Sequence, residues 1–435
     1  MTNIKDPATM HTASGMPLIK IMNDSFVIAD SEKTRLRELA RRVAEIASLP
    51  IQAKKAEHWR QHNDLETNEP LVFIDPETGW NECIPTSELQ CITPIARVWE
   101  MFLLKQIYWF EVMKDDKVIE PYFDVPYSYS DTGWGVELKR DHGGGQGSFI
   151  IRAALNDYEE DLPKVKFPKI IIDEKESETV LELAHNVFDG ILTVRRKTSW
   201  WWSMGMTRNF IDLRGFENFM YDLIDEPDNI HKLMSLLCDG WLERLDFLQQ
   251  NGLLALNTEG TYVGSGGFGY TKDLPQSNYN PMHITTMDMW GFVESQETTT
   301  VSPEMYAEFI LPYHKKIAER FGLNCYGCCE SYDPRWKYIE TIPRLRRVSV
   351  PPWADWTKQA ELLGMKYISS VKPNPSLLAQ SIMDEDAVRK ELKSAVSAID
   401  KCAVEIIMKD NATLGGNPHN ASRWVELARE AIGNR

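Results

Sequence analysis

The chain has 435 residues, and 48 Lys and Arg against 64 Asp and Glu leave a formal charge of −16. Apolar residues at 43% and charged residues at 26% are ordinary for a globular protein and exclude disorder, collagen and coiled coil as the main architecture. The acidity excludes a general basic surface for nucleic acid or an anionic membrane, and no stretch approaches the ~20 uninterrupted apolar residues of a membrane span.

Residues 1–29 read as a loose lead-in. The polar first 16 residues lack an apolar signal core, so the cytoplasm is the expected compartment. Ser31 is positioned to cap a helix to about Ala47, with Leu36, Leu39, Ala40, Val43 and Ile46 at helical spacing and Pro50 as its stop. Strands are expected at 71–74, 190–194, 253–257, 289–294, 323–327, 347–350, 366–371 and 403–408. Helical patterns at 229–250, 303–321, 335–341, 356–363, 384–399 and 421–432 separate most of them. This alternation predicts an α/β fold, a (β/α)8 TIM barrel, with a doubly wound sheet as the alternative. Residues about 115–190 break the rhythm with a Gly-rich turn at 143–147 and an acidic run at 157–161. They read as an inserted capping region. The expected division is an N-terminal extension over 1–56 and a barrel over 57–435 that includes the insertion.

In a parallel barrel, chemistry sits where strands end at the C-terminal face. Six consecutive predicted strands run into Glu259, into Gln296 and Glu297, into Cys328, Cys329 and Glu330, into Trp353 and Asp355, into Lys372, and into Lys409 and Asp410. Glu297, Glu330, Asp355 and Lys372 are therefore catalytic candidates. The seven cysteines are an odd number in a long chain, which does not suit a disulfide framework. Three fall within Asn324-Cys325-Tyr326-Gly327-Cys328-Cys329-Glu330. A catalytic zinc needs three N, S or O ligands and an open position. Cys328, Cys329, Glu330, Glu259 and His283 could supply them, and the plain alternative is that the cysteines are buried apolar residues.

Trp200, Trp201 and Trp202, followed by Met204, cannot all face one core. They are candidates for binding a flat or cationic ligand, with packing as the alternative. Tyr326 and Trp353 join them as candidate substrate contacts. The run Gly264-Ser265-Gly266-Gly267-Phe268-Gly269 matches G-x-G-x-x-G, but no helix follows it, so it reads as a mobile active-site loop rather than a dinucleotide site.

Several stretches carry a family resemblance. They are Trp59 to Leu65 with Pro70-Leu71-Val72, Glu294-Ser295-Gln296-Glu297, and Val301-Ser302-Pro303-Glu304-Met305-Tyr306 with Leu311-Pro312-Tyr313. The others are Tyr326-Gly327-Cys328-Cys329-Glu330, Pro352-Trp353-Ala354-Asp355, Lys372-Pro373-Asn374-Pro375, and Lys409-Asp410 with Thr413-Leu414-Gly415. In these the chain resembles the uroporphyrinogen decarboxylase superfamily, in its corrinoid-dependent methyltransferase branch. The resemblance implies a (β/α)8 barrel and either metal-free decarboxylation or zinc-dependent methyl transfer. Two departures matter. The decarboxylases grip their substrate with an arginine-rich loop, and residues 70–85 here contain no arginine. The zinc methyltransferases carry His-x-Cys where this chain has Tyr326-Gly327-Cys328.

The reading that follows is a methyltransferase that moves a methyl group between a small substrate and the cobalt of a corrinoid (cobalamin) protein. The substrate is a methoxylated aromatic, a methylamine-like compound or a thiol, and the chain could be the demethylating component of an O-demethylase system. Zinc and a partner-borne corrinoid are the expected cofactors. Nucleic acid and membrane are not expected partners, and the oligomeric state stays open. The alternatives are a metal-free decarboxylase of a smaller acid, gripped by Lys372, Lys409, Arg195, Arg196 or Arg208, and a non-catalytic corrinoid- or tetrapyrrole-binding protein.

Overall fold

Six of the eight apolar runs expected as strands assemble, in the computed structural model, into one parallel sheet. The structure describes Ala8 and residues 26–142, 149–399 and 401–433. The Gly-rich turn at 143–147 lies outside the described residues. The sheet strands are β1 (Leu71–Ile74), β2 (Trp290–Val293), β3 (Leu323–Tyr326), β4 (Leu345–Val350), β5 (Ile368–Val371) and β6 (Ala403–Met408). Their spatial order is β1-β6-β5-β4-β3-β2, all parallel. Helices follow β2 to β6 in turn, including Trp356–Leu363, Glu385–Ile399 and His419–Gly433. Both faces of the strands are therefore covered, which is why they are nearly continuous apolar sequence. The architecture is a TIM-barrel-like α/β fold.

Three expected elements change. The strand expected at 190–194 forms at Thr193–Arg196 and pairs with Tyr122–Val125 outside this sheet. The run 253–257 forms no strand; its Asn257 side chain pairs with the free edge of β2 instead. Asn257 Nδ2 donates to Trp290 O at 2.9 Å, and Trp290 N donates to Asn257 Oδ1 at 2.9 Å. The helix expected over 303–321 breaks into Pro303–Phe309 and Leu311–Ala318, because Pro312 has no N–H to continue the ladder. The first helix spans Asp30–Ala47 with Ala29, not Ser31, at its N-cap, and Glu32 returns a carboxylate to the Ala29 N–H. Pro50 opens the next helix, Pro50–Asn63, at its first turn.

The other sheet edge is also met by side chains. Asp116 Oδ2 accepts from Val72 N at 2.7 Å and Asp115 Oδ2 from Ile74 N at 3.0 Å, while Asp116 N donates to Val72 O at 2.8 Å. Beyond this point the chain forms a parallel pair, Tyr122–Val125 with Thr193–Arg196, and two antiparallel pairs, Tyr129–Asp131 with Ile170–Ile172 and Lys139–His142 with Phe149–Arg152.

A buried ion pair sits between β4 and β6. Arg347 Nε lies 2.9 Å from Glu405 Oε1, and both side chains are essentially inaccessible. Arg347 Nη2 also donates to Asn63 Oδ1 at 2.6 Å and Phe268 O at 3.2 Å, and Ser370 Oγ donates to Glu405. Burial alone would raise the Glu405 carboxyl, but Arg347 and His62 hold it well below the usual range. Removing one member strands the other charge. Arg347→Met should cost about 3–5 kcal/mol in denaturant unfolding. Adding Glu405→Gln should recover more than half of that loss; a double variant no more stable than Arg347→Met would refute the pairing argument.

Candidate active site

The glycine run 264–269 folds into a hairpin whose strands are Tyr262–Val263 and Gly267–Phe268, and it packs against Cys325 of β3 and Arg347 of β4. A Cβ on Gly264, at φ +68°, would lie 2.8 Å from the Cys325 Cβ, and one on Gly267 would lie 2.5 Å from the Arg347 guanidinium carbon. Only glycine permits that approach. Residues 263–270 are all buried. The run is thus a packed plug, not the mobile loop expected from sequence.

Above the plug lies a cavity of about 650 Å³. Its walls come from Trp109 and residues 117–129, from 197–202, from the plug (Tyr262, Phe268) and from β2 (Trp290, Phe292). Trp200 is buried, with Nε1 donating to Leu253 O at 3.0 Å and its ring stacked on Tyr127. Trp201 packs edge-on against Phe321 and Trp202 against Phe292. Trp202 is 44% exposed, at the solvent side. All three tryptophans line the cavity.

The charged part of the wall comes from the ends of β1 and β6. Lys409 Nζ lies 3.7 Å from both Glu77 Oε1 and Asp410 Oδ1. Burial would lower the Lys409 ammonium, but Asp410 and Glu77 hold it above its ordinary value. Burial pushes Glu77 up to about 7, against the opposing pull of Lys409. A carboxyl there exchanges its proton near neutral pH, which suits acid–base work. Asp410 has φ +62°, a left-handed backbone that a non-glycine residue adopts at a cost, as often happens at functional strand ends. Asp75 braces this corner, accepting from Trp80 Nε1 at 2.7 Å and from Tyr262 OH at 2.6 Å.

The other sequence candidates lie elsewhere. Glu294, Glu297 and Glu330 gather behind β2 and β3. Glu330 accepts from Ser295 N at 2.7 Å and Cys328 N at 2.9 Å, Glu297 from Thr207 Oγ1 at 2.7 Å, and Glu294 from Gln296 N at 3.0 Å. Burial, then Glu297 and Glu330, push Glu294 well above the ordinary carboxylate range. Asp355 caps the Trp356–Leu363 helix. Lys372 is buried against Ser370, and burial brings it down to about 8. Tyr326 is buried with its OH 3.0 Å from Ser295 Oγ, Met204 is buried with its N–H on Phe292 O, and Trp353 is 66% exposed. None of these residues lines the cavity.

The proposed zinc ligands do not assemble. Cys328 and Cys329 have sulfurs 3.7 Å apart, but both Glu330 oxygens are occupied by backbone N–H groups. Glu259 is paired with Arg195 at 2.7 Å, and His283 is exposed on a loop. Among the described residues no three His, Cys, Asp or Glu side chains converge on a point that could hold a metal ion. As arranged here, these residues do not fit zinc.

Sequence reasoning missed Glu77, Tyr262, Phe268 and Lys117 as cavity residues. Glu77 follows β1 directly, so the strand-end rule applied to β1 would have found it. Lys117 hides in the run Lys114-Asp115-Asp116-Lys117, which has the texture of a solvated turn.

No protein-family model matches the chain, and no curated protein matches it in sequence. Among solved structures it is similar to a methyltransferase from Methanosarcina mazei, with 14% identity and a TM-score of 0.43, over 75% of this chain and 85% of that one.

Glu294 gives a pH test of the acidic cluster. Its folded-state proton affinity is raised, so the stability it contributes is present below the ordinary value of 4.5 and is lost as pH rises through the folded value. Glu294→Gln should therefore be more stable than the parent by at least about 1 kcal/mol at pH 8, and nearly equal at pH 4. Denaturant unfolding at both pH values decides it. No gain at pH 8 would sink the assignment.

Proposed function

We propose that the chain is a methyltransferase that takes the methyl group of a methoxylated aromatic and passes it to the cobalt of a corrinoid carried by a partner protein. The observation that supports this most is the cavity: an aromatic-walled chamber with a Glu77–Lys409–Asp410 group at the strand ends. In this reading residues 57–435 are the catalytic unit, 1–56 an extension, and about 115–190 the cap that supplies one cavity wall. The partner's cobalt is the methyl acceptor, and it enters as a second substrate. The chain's net charge of −16 suits a partner with a basic docking face.

Each residue has a stated task. Trp202 and Phe292 hold the aromatic ring by face and edge contacts. When the methyl–oxygen bond breaks, the electron pair stays on oxygen. Glu77, protonated below about 7, gives that oxygen its proton. Lys409 keeps the resulting carboxylate in place by charge.

The reaction is tested by supplying reduced cobalamin, or a reduced corrinoid protein, with a panel of methoxylated aromatics. The expected result is the methylcobalt absorbance together with one phenol per methyl transferred. Carbon dioxide release from aromatic or aliphatic acids, without methyl transfer, would support the decarboxylase reading instead.

Two variants locate the site. Trp202→Ala should raise KM about ten-fold or more with little change in melting temperature, since its ring is part-exposed. An unchanged KM would remove the tryptophan from the binding wall. Turnover should fall as pH rises through about 7, and Glu77→Gln should lose both most of the rate and that pH limb. A pH profile identical in Glu77→Gln would remove Glu77 as the acid.

A further inference from the structure

The cavity's charged groups differ in how they are satisfied. Asp124 Oδ1 is paired with Arg195 at 2.7 Å, Glu77 and Asp410 share Lys409, and Glu120 accepts from Tyr270 OH at 2.7 Å. Lys197 Nζ donates to Thr261 Oγ1 at 2.6 Å. Lys117 is the exception. Its ammonium makes no hydrogen bond and no ion pair with any described residue.

The backbone of Lys117 is fixed at both ends. Its N–H donates to Asp115 Oδ1 at 3.0 Å and its carbonyl accepts from Lys55 Nζ at 3.2 Å. The side chain lies 4.9 Å from the Trp109 ring centroid and 4.7 Å from that of Phe268. Two aromatic faces therefore hold the ammonium, and neither uses its N–H donors in a strong hydrogen bond. Lys117 is half-buried, and an ammonium with three open donors is better satisfied by an acceptor than by ring faces alone. The cavity it borders is where that acceptor would arrive. Burial lowers the ammonium's proton affinity, and the nearby carboxyls of Glu120, Asp115 and Asp75 act against that without a hydrogen bond to it.

We propose that Lys117 is the anion-recognition residue of this cavity, and that the ligand it selects is an aromatic carboxylate. The aromatic walls take the ring, and the Lys117 ammonium takes the carboxylate, which is ionised at neutral pH. A phenol is neutral there and would not answer the charge. An aromatic quaternary ammonium would face Lys117 with like charge. The assignment rests on the reading that this cavity receives the substrate, and it narrows that substrate to a methoxylated aromatic acid. Lys117 here is a specificity and positioning residue, distant in role from the proton donor Glu77.

The test is calorimetric titration of the full-length protein with benzoate, benzamide and benzyltrimethylammonium at pH 7. Benzamide matches benzoate in shape without its charge. The parent should bind benzoate about ten-fold or more tighter than benzamide, and benzyltrimethylammonium more weakly than either. Lys117→Met should abolish the benzoate preference while benzamide affinity stays within about three-fold. Lys117→Arg should retain it. If the methionine variant does not fold, Lys117→Gln takes its place, with intact near-ultraviolet circular dichroism as the control. Equal affinities for benzoate and benzamide in the parent would overturn the proposal, as would an undiminished benzoate preference in Lys117→Met or Lys117→Gln. A benzoate preference without any methyl transfer would leave the Lys117 assignment standing and overturn the methyltransferase reading alone. Methyl transfer from neutral methoxyarenes with no carboxylate preference would do the reverse.

Discussion

The ion pair between Arg347 and Glu405 is the constraint on which the interior depends. A (β/α) sheet of this kind is normally filled by layers of branched apolar side chains. Here one layer is polar. Arg347 reaches from β4 to Glu405 on β6, past Ser370 on β5, and its remaining donors go to Asn63 and to the Phe268 carbonyl. Those last two contacts tie the Pro50–Asn63 helix and the glycine hairpin to the sheet. Asn63 reinforces the tie by donating to both Phe268 O and Tyr270 O. The hairpin forms the cavity floor, so the floor's position is set by a charge pair rather than by apolar packing. Such a pair adds little net stability compared with apolar filling, but it allows few geometries. That suits a floor that must present Tyr262 and Phe268 to a ligand at fixed places.

The sheet edges follow a related logic. A parallel sheet with open edges leaves unpaired N–H and C=O groups, and buried ones must be satisfied. Asn257 carries a donor and an acceptor on one side chain, so it can replace a strand residue opposite Trp290. Asp115 and Asp116 do the same for β1 with acceptors only, which is why the Asp116 backbone N–H must supply the donor to Val72 O. Side-chain pairing frees the chain from running parallel to the sheet at these points. The segments after Asp116 and after Asn257 both turn away and become cavity wall.

What could be read from sequence and what could not divides along this line. The ranges 71–74 and 403–408 are visible because buried parallel strands are runs of Val, Ile and Leu. The 356–363 helix is visible because its apolar spacing is periodic. The run 253–257 carries the same apolar texture, but its role is set by one asparagine meeting one backbone, and no local pattern marks that. The glycine run shows the same limit. Its composition signals close approach, and only the fold reveals that what approaches is Arg347 and Cys325. That the tryptophan run would not pack into one core was legible, because three adjacent large rings cannot share one, and all three line the cavity. Glu297 and Glu330 were legible as carboxylates at strand ends, but a strand end has two sides. Theirs faces a buried cluster rather than the cavity, and alternation along a strand does not carry beyond its last hydrogen bond.

The charge distribution connects these points to chemistry. The chain as a whole is strongly acidic, yet the carboxylates at the cavity are each matched to a cation or a donor. Glu120 is pushed up by burial, and the hydrogen bond from Tyr270 OH acts against that. Glu77 stands near its own midpoint at neutral pH. The interior is thus close to neutral within an acidic shell. In a low-dielectric chamber of that kind, the appearance of one new negative charge is felt strongly, because little solvent screens it. Methyl transfer out of an aryl ether creates such a charge on oxygen. A carboxyl able to give up a proton near pH 7, held beside a lysine that stays charged, is the arrangement that lowers its cost.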